Sequence, residues 1–235
     1  MTIMEPTFPP LLQGQAVTGA DDPFEKAQAL SALGCDAGLV VHNIQADRLR
    51  AAMVFAPEVP LSKAVVMLPL CGIGLQSALG ALAPPEVAVH LMWDGGILVN
   101  GAACGQLTIA TSDTNPEATP DWLVVGLDIP FIRSGSAPGQ IPEETALFEE
   151  GCGEVDQTRL LESWSRHTLV WINRWLDDGT APVHREWNGL AFGVGAPVTR
   201  GDLSGTFLGV DENFGMLLRD DKTTHLIPLS TVLKG

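Results

Sequence analysis

Basic residues are the scarcest resource in this chain. Lysine and arginine together number 13 against 28 aspartates and glutamates, a formal net charge of −15 over 235 residues. Binding to a nucleic-acid backbone depends on neutralising phosphates with lysine and arginine. No basic cluster exists here, so a nucleic-acid partner is excluded, and an anionic membrane surface is disfavoured for the same reason. The acidic surplus reads as a solvated surface. No Cys-x-x-Cys pair occurs: Cys35, Cys71, Cys104 and Cys152 are scattered, which is neither a disulfide framework nor a zinc pattern. No basic segment followed by an apolar run opens the sequence, and no apolar run reads as the ~18 residues of a membrane span. A reducing cytoplasm is the expected setting.

What is present is a foldable chain. Apolar residues make up 46% and charged residues 17%, which suits one large domain plus a small one and argues against disorder. Residues 1–20 read as an extended arm or early strand. Asp22 followed by Pro23 offers a helix N-cap and first turn, with Phe24, Ala27, Leu30 and Leu33 at helical spacing and Gly34 as the stop. Residues 38–42 and 63–68 read as buried strands, and a helix is predicted after Pro69 as far as residue 82. Cys71-Gly72-Ile73-Gly74 near its start has two readings, a phosphate- or thiol-based site or small residues packing a helix on a sheet. The missing third glycine and missing Lys-Ser/Thr favour packing.

Residues 154–178 form the clearest helix, with Leu160, Leu161, Trp164, Thr168, Trp171, Ile172 and Trp175 on one stripe and Gly179 past its end. That stripe reads as core, and His167 beside it as structural. From Trp187 onward glycines punctuate short strands. Residues 205–219 form a hairpin with its loop at 211–214, and Asp220-Asp221-Lys222 makes the next turn.

The stretch that organises the whole runs from His90 to Leu107. Two short apolar runs flank the break Asp94-Gly95-Gly96, Asn100-Gly101 is a strong type I′ hairpin signal, and a strand follows toward Thr111. Gly95 and Gly96 permit close backbone approach, to a ligand or to another strand.

This stretch resembles the active-site hairpin of the biotin and lipoate protein ligases, in which a Lys-Trp-Pro-Asn-Asp segment runs through a strand and turn into Lys-x-x-Gly. Trp93, residues 97–99, Asn100-Gly101 and Gly105 fit that frame. Met92 stands where the first lysine belongs, Asp94-Gly95-Gly96 replaces Pro-Asn-Asp, and Ala102 occupies the position of the catalytic lysine. The family's Gly-Arg-Gly-Arg loop falls on Asp47-Arg48-Leu49-Arg50. Both arginines are kept, either to grip an anionic group with guanidinium forks or simply as solvated charges on a strand edge. Where the family has Gly-Ile-Asn, this chain has Asp128-Ile129-Pro130.

The resemblance implies an α+β fold, a class II synthetase-like mixed or antiparallel sheet flanked by helices over residues 1–183. A small SH3-like β-barrel over residues 184–235 is implied to follow. It further implies that Arg48, Arg50, Trp93, Asp94, Gly95, Gly96, Ala102 and Gly105 line a ligand pocket. Neither catalytic nor metal-binding residues are assigned. ATP, magnesium and biotin or lipoate enter only if the family's chemistry survives. That chemistry builds negative charge where a carboxylate joins the α-phosphate. Losing an electrostatic donor there costs about 10²–10³ in rate. Three functions follow for testing. The first is a degenerate pocket binding a small carboxylate or nucleotide. The second is an active acyl ligase or acyltransferase that recruits groups such as Arg48, Arg50, His90 or Asp94. The third is an interaction protein meeting a partner through its C-terminal domain.

Overall fold

The computed structural model describes residues 5–133 and 143–234; all but the first residue of the breaker-rich stretch 133–142, which the sequence predicts as loop, lies outside them. Two sheets are present among the described residues. The larger has seven strands in the order β1-β2-β3-β7-β6-β5-β4, built from β1 (Gln13–Ala16), β2 (Leu39–Ile44), β3 (Arg48–Phe55), β4 (Val89–Leu91), β5 (Gly96–Val99), β6 (Ala102–Thr111) and β7 (Leu123–Pro130). It is mixed, because β1 joins β2 in parallel while the other neighbours are antiparallel.

Alternation along the central strands sorts side chains onto two faces. Leu49, Ala51 and Met53 of β3 and Val125, Leu127 and Ile129 of β7 join the main core. That core is closed by α3 (Met67–Leu82), α4 (Gln157–Asp178) and α5 (Thr180–Leu190). Ala52, Val54, Val41 and Val124 face the other way, under α1 (Pro23–Ala32). Asp22 caps α1 by accepting from the Phe24 N–H, as its sequence predicts. Helix α1 covers Gly126, on which Phe24 packs, and the turn before it covers Asn43, which is buried and donates to the Gly19 and Asp21 carbonyls. Beyond them, among the described residues, that face opens into a cleft, and this is the feature that positions the site.

The 63–68 run is helical rather than a strand: α2 (Leu61–Ala64) and then α3 occupy it. A short apolar run does not by itself distinguish a strand from a buried helix, and Pro69 sits comfortably in the first turn of α3. Residues Leu61–Leu82 make up 22 residues apolar enough to span a bilayer, but 72% of the most apolar window is buried inside the fold. They are core. Cys71, Gly72, Ile73 and Gly74 are accordingly buried inside α3. Gly72 lies against Leu91 and Leu107 of the sheet, and Gly74 lets α4 approach at Thr168. The Trp164 indole of α4 donates to the Cys71 carbonyl across that contact at 3.0 Å.

The sequence from Trp187 onward does not turn to strands at once, because α5 continues to Leu190. Beyond it, β8 (Pro197–Arg200), β9 (Leu203–Val210), β10 (Met216–Arg219) and β11 (Thr224–Ile227) make a four-stranded antiparallel meander, order β11-β10-β9-β8. A small antiparallel sheet of this kind agrees with the expected SH3-like module; among the described residues it pairs as an open sheet rather than a closed barrel. Its hairpins fall where the glycines and the Asp220 turn predict.

Candidate functional site

The open part of the sheet is paved by a row of polar side chains. In the strand register Arg50 of β3 stands opposite Asn43 of β2 and Asp128 of β7, and Asp128 stands opposite Gln106 of β6. Directly opposed residues project to the same face. Arg48, two positions before Arg50, shares that face, and its Nε donates to Asp128 Oδ1 at 2.5 Å. Both partners of this pair are more than two-fifths exposed. Arg50 is half-buried, and no ion pair of it is found among the described residues.

A cleft of about 380 Å3 opens over this row. Arg48, Asp128, Gln106, Gly105 and Ala103 contribute to its floor, with Asp47 and Glu144 among its rim. One wall is the segment after residue 142, which runs beside β6: the Ala103 N–H donates to the Glu143 carbonyl and the Thr145 N–H to the Ala103 carbonyl, both at 2.8 Å. Arg133 braces that wall, pairing with Glu149 at 3.1 Å and donating to the Glu144 carbonyl at 2.9 Å. Glu150 ties the wall to the hairpin by accepting from Thr145 Oγ1 at 2.5 Å and from the Asn100 side chain at 2.8 Å. Asn100 and Gly101 take positive φ (51° and 90°), as the type I′ turn requires.

The expected pocket residues divide between two places. Arg48 and Gly105 line the cleft, and Arg50 lies in the adjoining row of the same face. Ala102 pairs with Val99 at the start of β6, and its neighbour Ala103 is the one lining the cleft. Trp93, Asp94 and Gly95 sit elsewhere, under the C-terminal sheet. Trp93 is 5% exposed, and its indole N–H donates to the Phe214 carbonyl at 2.7 Å. Asp94 pairs with Arg200 at 2.7 Å, and that guanidinium lies 5.7 Å from the centre of the Trp93 ring. The gap remaining around Trp93 and Phe214 is about 10 Å3, room for one water at most. Gly96 opposes Gln106 beside a bulge and packs on Met92.

The glycines answer to close strand packing. Gly95 has φ 92°, and a Cβ there would run into the Leu107 carbonyl oxygen; Gly105 has φ 125°, and a Cβ there would meet the Asp128 carbonyl oxygen. Asp128, Gln106, Ala103 and the braced wall are the parts that sequence reasoning did not assign to the site. The signal for the row was the period-two alternation of β3, β6 and β7, which speaks only once their register is known.

Full burial argues against Cys104 and Cys71 as nucleophiles. Burial, with Cys152, Glu150 and Glu149 adding to it, pushes the Cys104 thiol up to about 12, and burial alone raises Cys71 further still. Magnesium does not fit the Asp94-Gly95-Gly96 turn either. That turn offers one carboxylate, already paired with Arg200, where the ion needs several oxygen ligands. Of the four lysines in the sequence, Lys26, Lys63, Lys222 and Lys234, none lines the cleft.

A mixed sheet with helices on one face, an open half-face on the other and a small C-terminal sheet is the architecture of a biotin protein ligase. The chain belongs to the biotin/lipoate A/B protein ligase family, which it matches over residues 8–189; residues 194–235 match a domain of unknown function, DUF4444. It is similar to a biotin protein ligase-like protein of unknown function from Silicibacter sp. TM1040, with 59% identity, a TM-score of 0.93, and coverage of 98% of this chain and 100% of that one. The biotin protein ligase of Aquifex aeolicus shares the fold at 14% identity and a TM-score of 0.74, covering 94% of this chain and 96% of that one. The bifunctional ligase/repressor BirA of Bacillus subtilis is 22% identical over 200 residues, 78% of this chain and 57% of BirA. The chain thus spans little more than half the length of the curated relatives it matches.

Proposed function

We propose that this protein binds a small carboxylate on the open sheet face and does not form acyl-adenylates efficiently. The observation that carries the reading is the charge balance of the row. Arg48 is balanced by Asp128, and Arg50 in the adjoining row has no ion pair among the described residues, which leaves one guanidinium on this face for an anion; no lysine joins them. One positive charge matches one carboxylate, and a guanidinium fork is shaped to hold it. A triphosphate carries about four negative charges, and the acidic Asp47 and Glu144 at the rim oppose it. Its volume of about 380 Å3 lies within the range of small-ligand sites.

Adenylation needs more than binding. The developing charge between carboxylate and α-phosphate requires donors placed for it in advance, and at the matching positions stand Met92 and Ala102. Four cysteines without a disulfide suit a cytoplasmic setting. We place the boundary between the ligase-like domain and the C-terminal domain close to the start of the small sheet. Titration calorimetry tests the reading. Octanoate is expected to bind, the Arg48→Ala/Arg50→Ala double variant to lose that binding, and ATP with magnesium to give no saturable heat. Octanoate binding equally well to the double variant would contradict it.

A further inference from the structure

We propose that the carboxylate ligand is a zwitterion of the α-amino acid class, with Asp128 holding its ammonium group. The inference rests on the carboxylate reading above and names the second group of the ligand. Arg50 and Asp128 are directly opposed on neighbouring strands and project from the same face. Opposed side chains on a sheet leave their strands only about 4.5–5.5 Å apart. The face therefore presents a cation and an anion side by side, the complement of a carboxylate and an ammonium separated by one carbon.

The anion is not used up within the protein. Asp128 is 41% exposed, and its ion pair with Arg48 engages Oδ1 alone; no bond to Oδ2 is found among the described residues. An ammonium is a donor only and satisfies that oxygen directly. A simple fatty acid would be held by the arginines alone and would set its own carboxylate next to Asp128, a repulsion that an ammonium group replaces with attraction. Gln106, opposite Asp128 on the far side from Arg50, offers both a donor and an acceptor to whatever the ligand carries beyond its charged end. Asp128 is thus the residue that sets selectivity, and it replaces a repulsive neighbour with an attractive one only for ligands bearing a positive group.

L-norleucine and hexanoate differ by the α-ammonium alone, so titration calorimetry with the two isolates it. The intact protein is expected to bind L-norleucine at least about tenfold more tightly than hexanoate. Asp128→Asn, an isosteric change at an exposed position, is expected to abolish that preference and to strengthen hexanoate binding, because Arg48 is released. The gain for hexanoate also reports that the variant is folded. Hexanoate binding as tightly as L-norleucine to the intact protein would overturn the zwitterion while leaving the carboxylate reading in place. A preference that persists in Asp128→Asn would overturn the role of Asp128. If neither acid bound the intact protein, the carboxylate reading itself would fall.

Discussion

The Trp93 indole N–H and the Phe214 carbonyl oxygen, 121 residues apart in the chain, are joined at 2.7 Å across the contact between the central hairpin and the C-terminal sheet. Phe214 has φ 63°, an uncommon value for a bulky residue. Its turn is held by Asp211, whose carboxylate accepts the N–H groups of Asn213 and Gly215. Trp187 of α5 packs edge-on against the Phe214 ring at 5.9 Å. The tryptophan thus serves as the attachment point of the small sheet.

Trp93→Phe keeps most of the packing and leaves the Phe214 carbonyl without its donor, so it is expected to lower stability by about 1–3 kcal/mol. Trp93→Ala adds a cavity in the contact and is expected to cost about 3–5 kcal/mol. Denaturant unfolding of the two variants beside the parent checks both values. Equal stability of all three would show that the small sheet is held by other contacts.

Glycine substitutions separate strand packing from ligand contact. Gly95→Ala and Gly105→Ala force a side chain at positive φ into a neighbouring carbonyl oxygen and are expected to lower stability by more than about 1 kcal/mol each. Gly189→Ala, exposed on α5 with nothing near its missing Cβ, is expected to raise it by about 0.5–1 kcal/mol. Melting temperatures without any ligand decide the matter, since a role confined to ligand binding would leave Gly95→Ala and Gly105→Ala unchanged.

The legible parts of this chain were those governed by local chemistry. Asp22, Gly34, Asn100-Gly101 and Gly179 mark real ends and turns, and the Trp164-Trp171 stripe is core. The 63–68 run was misread because continuous burial erases periodicity. Helix α5 was missed because Pro182 and Gly189 look like breakers, whereas Pro182 lies in its first turn and Gly189 near its end. Within the site, Arg48 and Gly105 were readable from their frame. What Trp93 and Asp94 touch was not, because Phe214 and Arg200 lie more than 100 residues away. The alignment of Arg50, Asp128 and Gln106 is a property of register, which no single segment encodes.

Two groups give stability a defined pH dependence. Burial holds the His42 imidazole below its ordinary value of 6.5, with Glu5 partly opposing. The unfolded chain therefore binds more protons there, and this contribution is complete above about pH 6.5 and declines as pH falls below it. Asp220 runs the other way in chemistry but not in sign. Its hydrogen bonds from His225, Thr223 and Lys222 hold the carboxyl at about 2, so its contribution is present above its ordinary 3.8 and is lost as pH falls toward 2. His42→Gln is expected to flatten the stability profile between about pH 7 and 5, and Asp220→Asn below about pH 4. Urea midpoints across that range test both; an unchanged slope in His42→Gln would rule out the buried imidazole as its source.

The central claim is that the fold of a ligase persists around a cleft that no longer supports adenylate formation. Pyrophosphate release from ATP and magnesium, measured with biotin, lipoate and octanoate in turn, addresses it most directly. With Ala102 and Ala103 at the head of β6 and no lysine lining the cleft, release is expected to stay at the level seen without any acid. Sustained, acid-dependent release with any of the three would contradict the account and identify a working ligase.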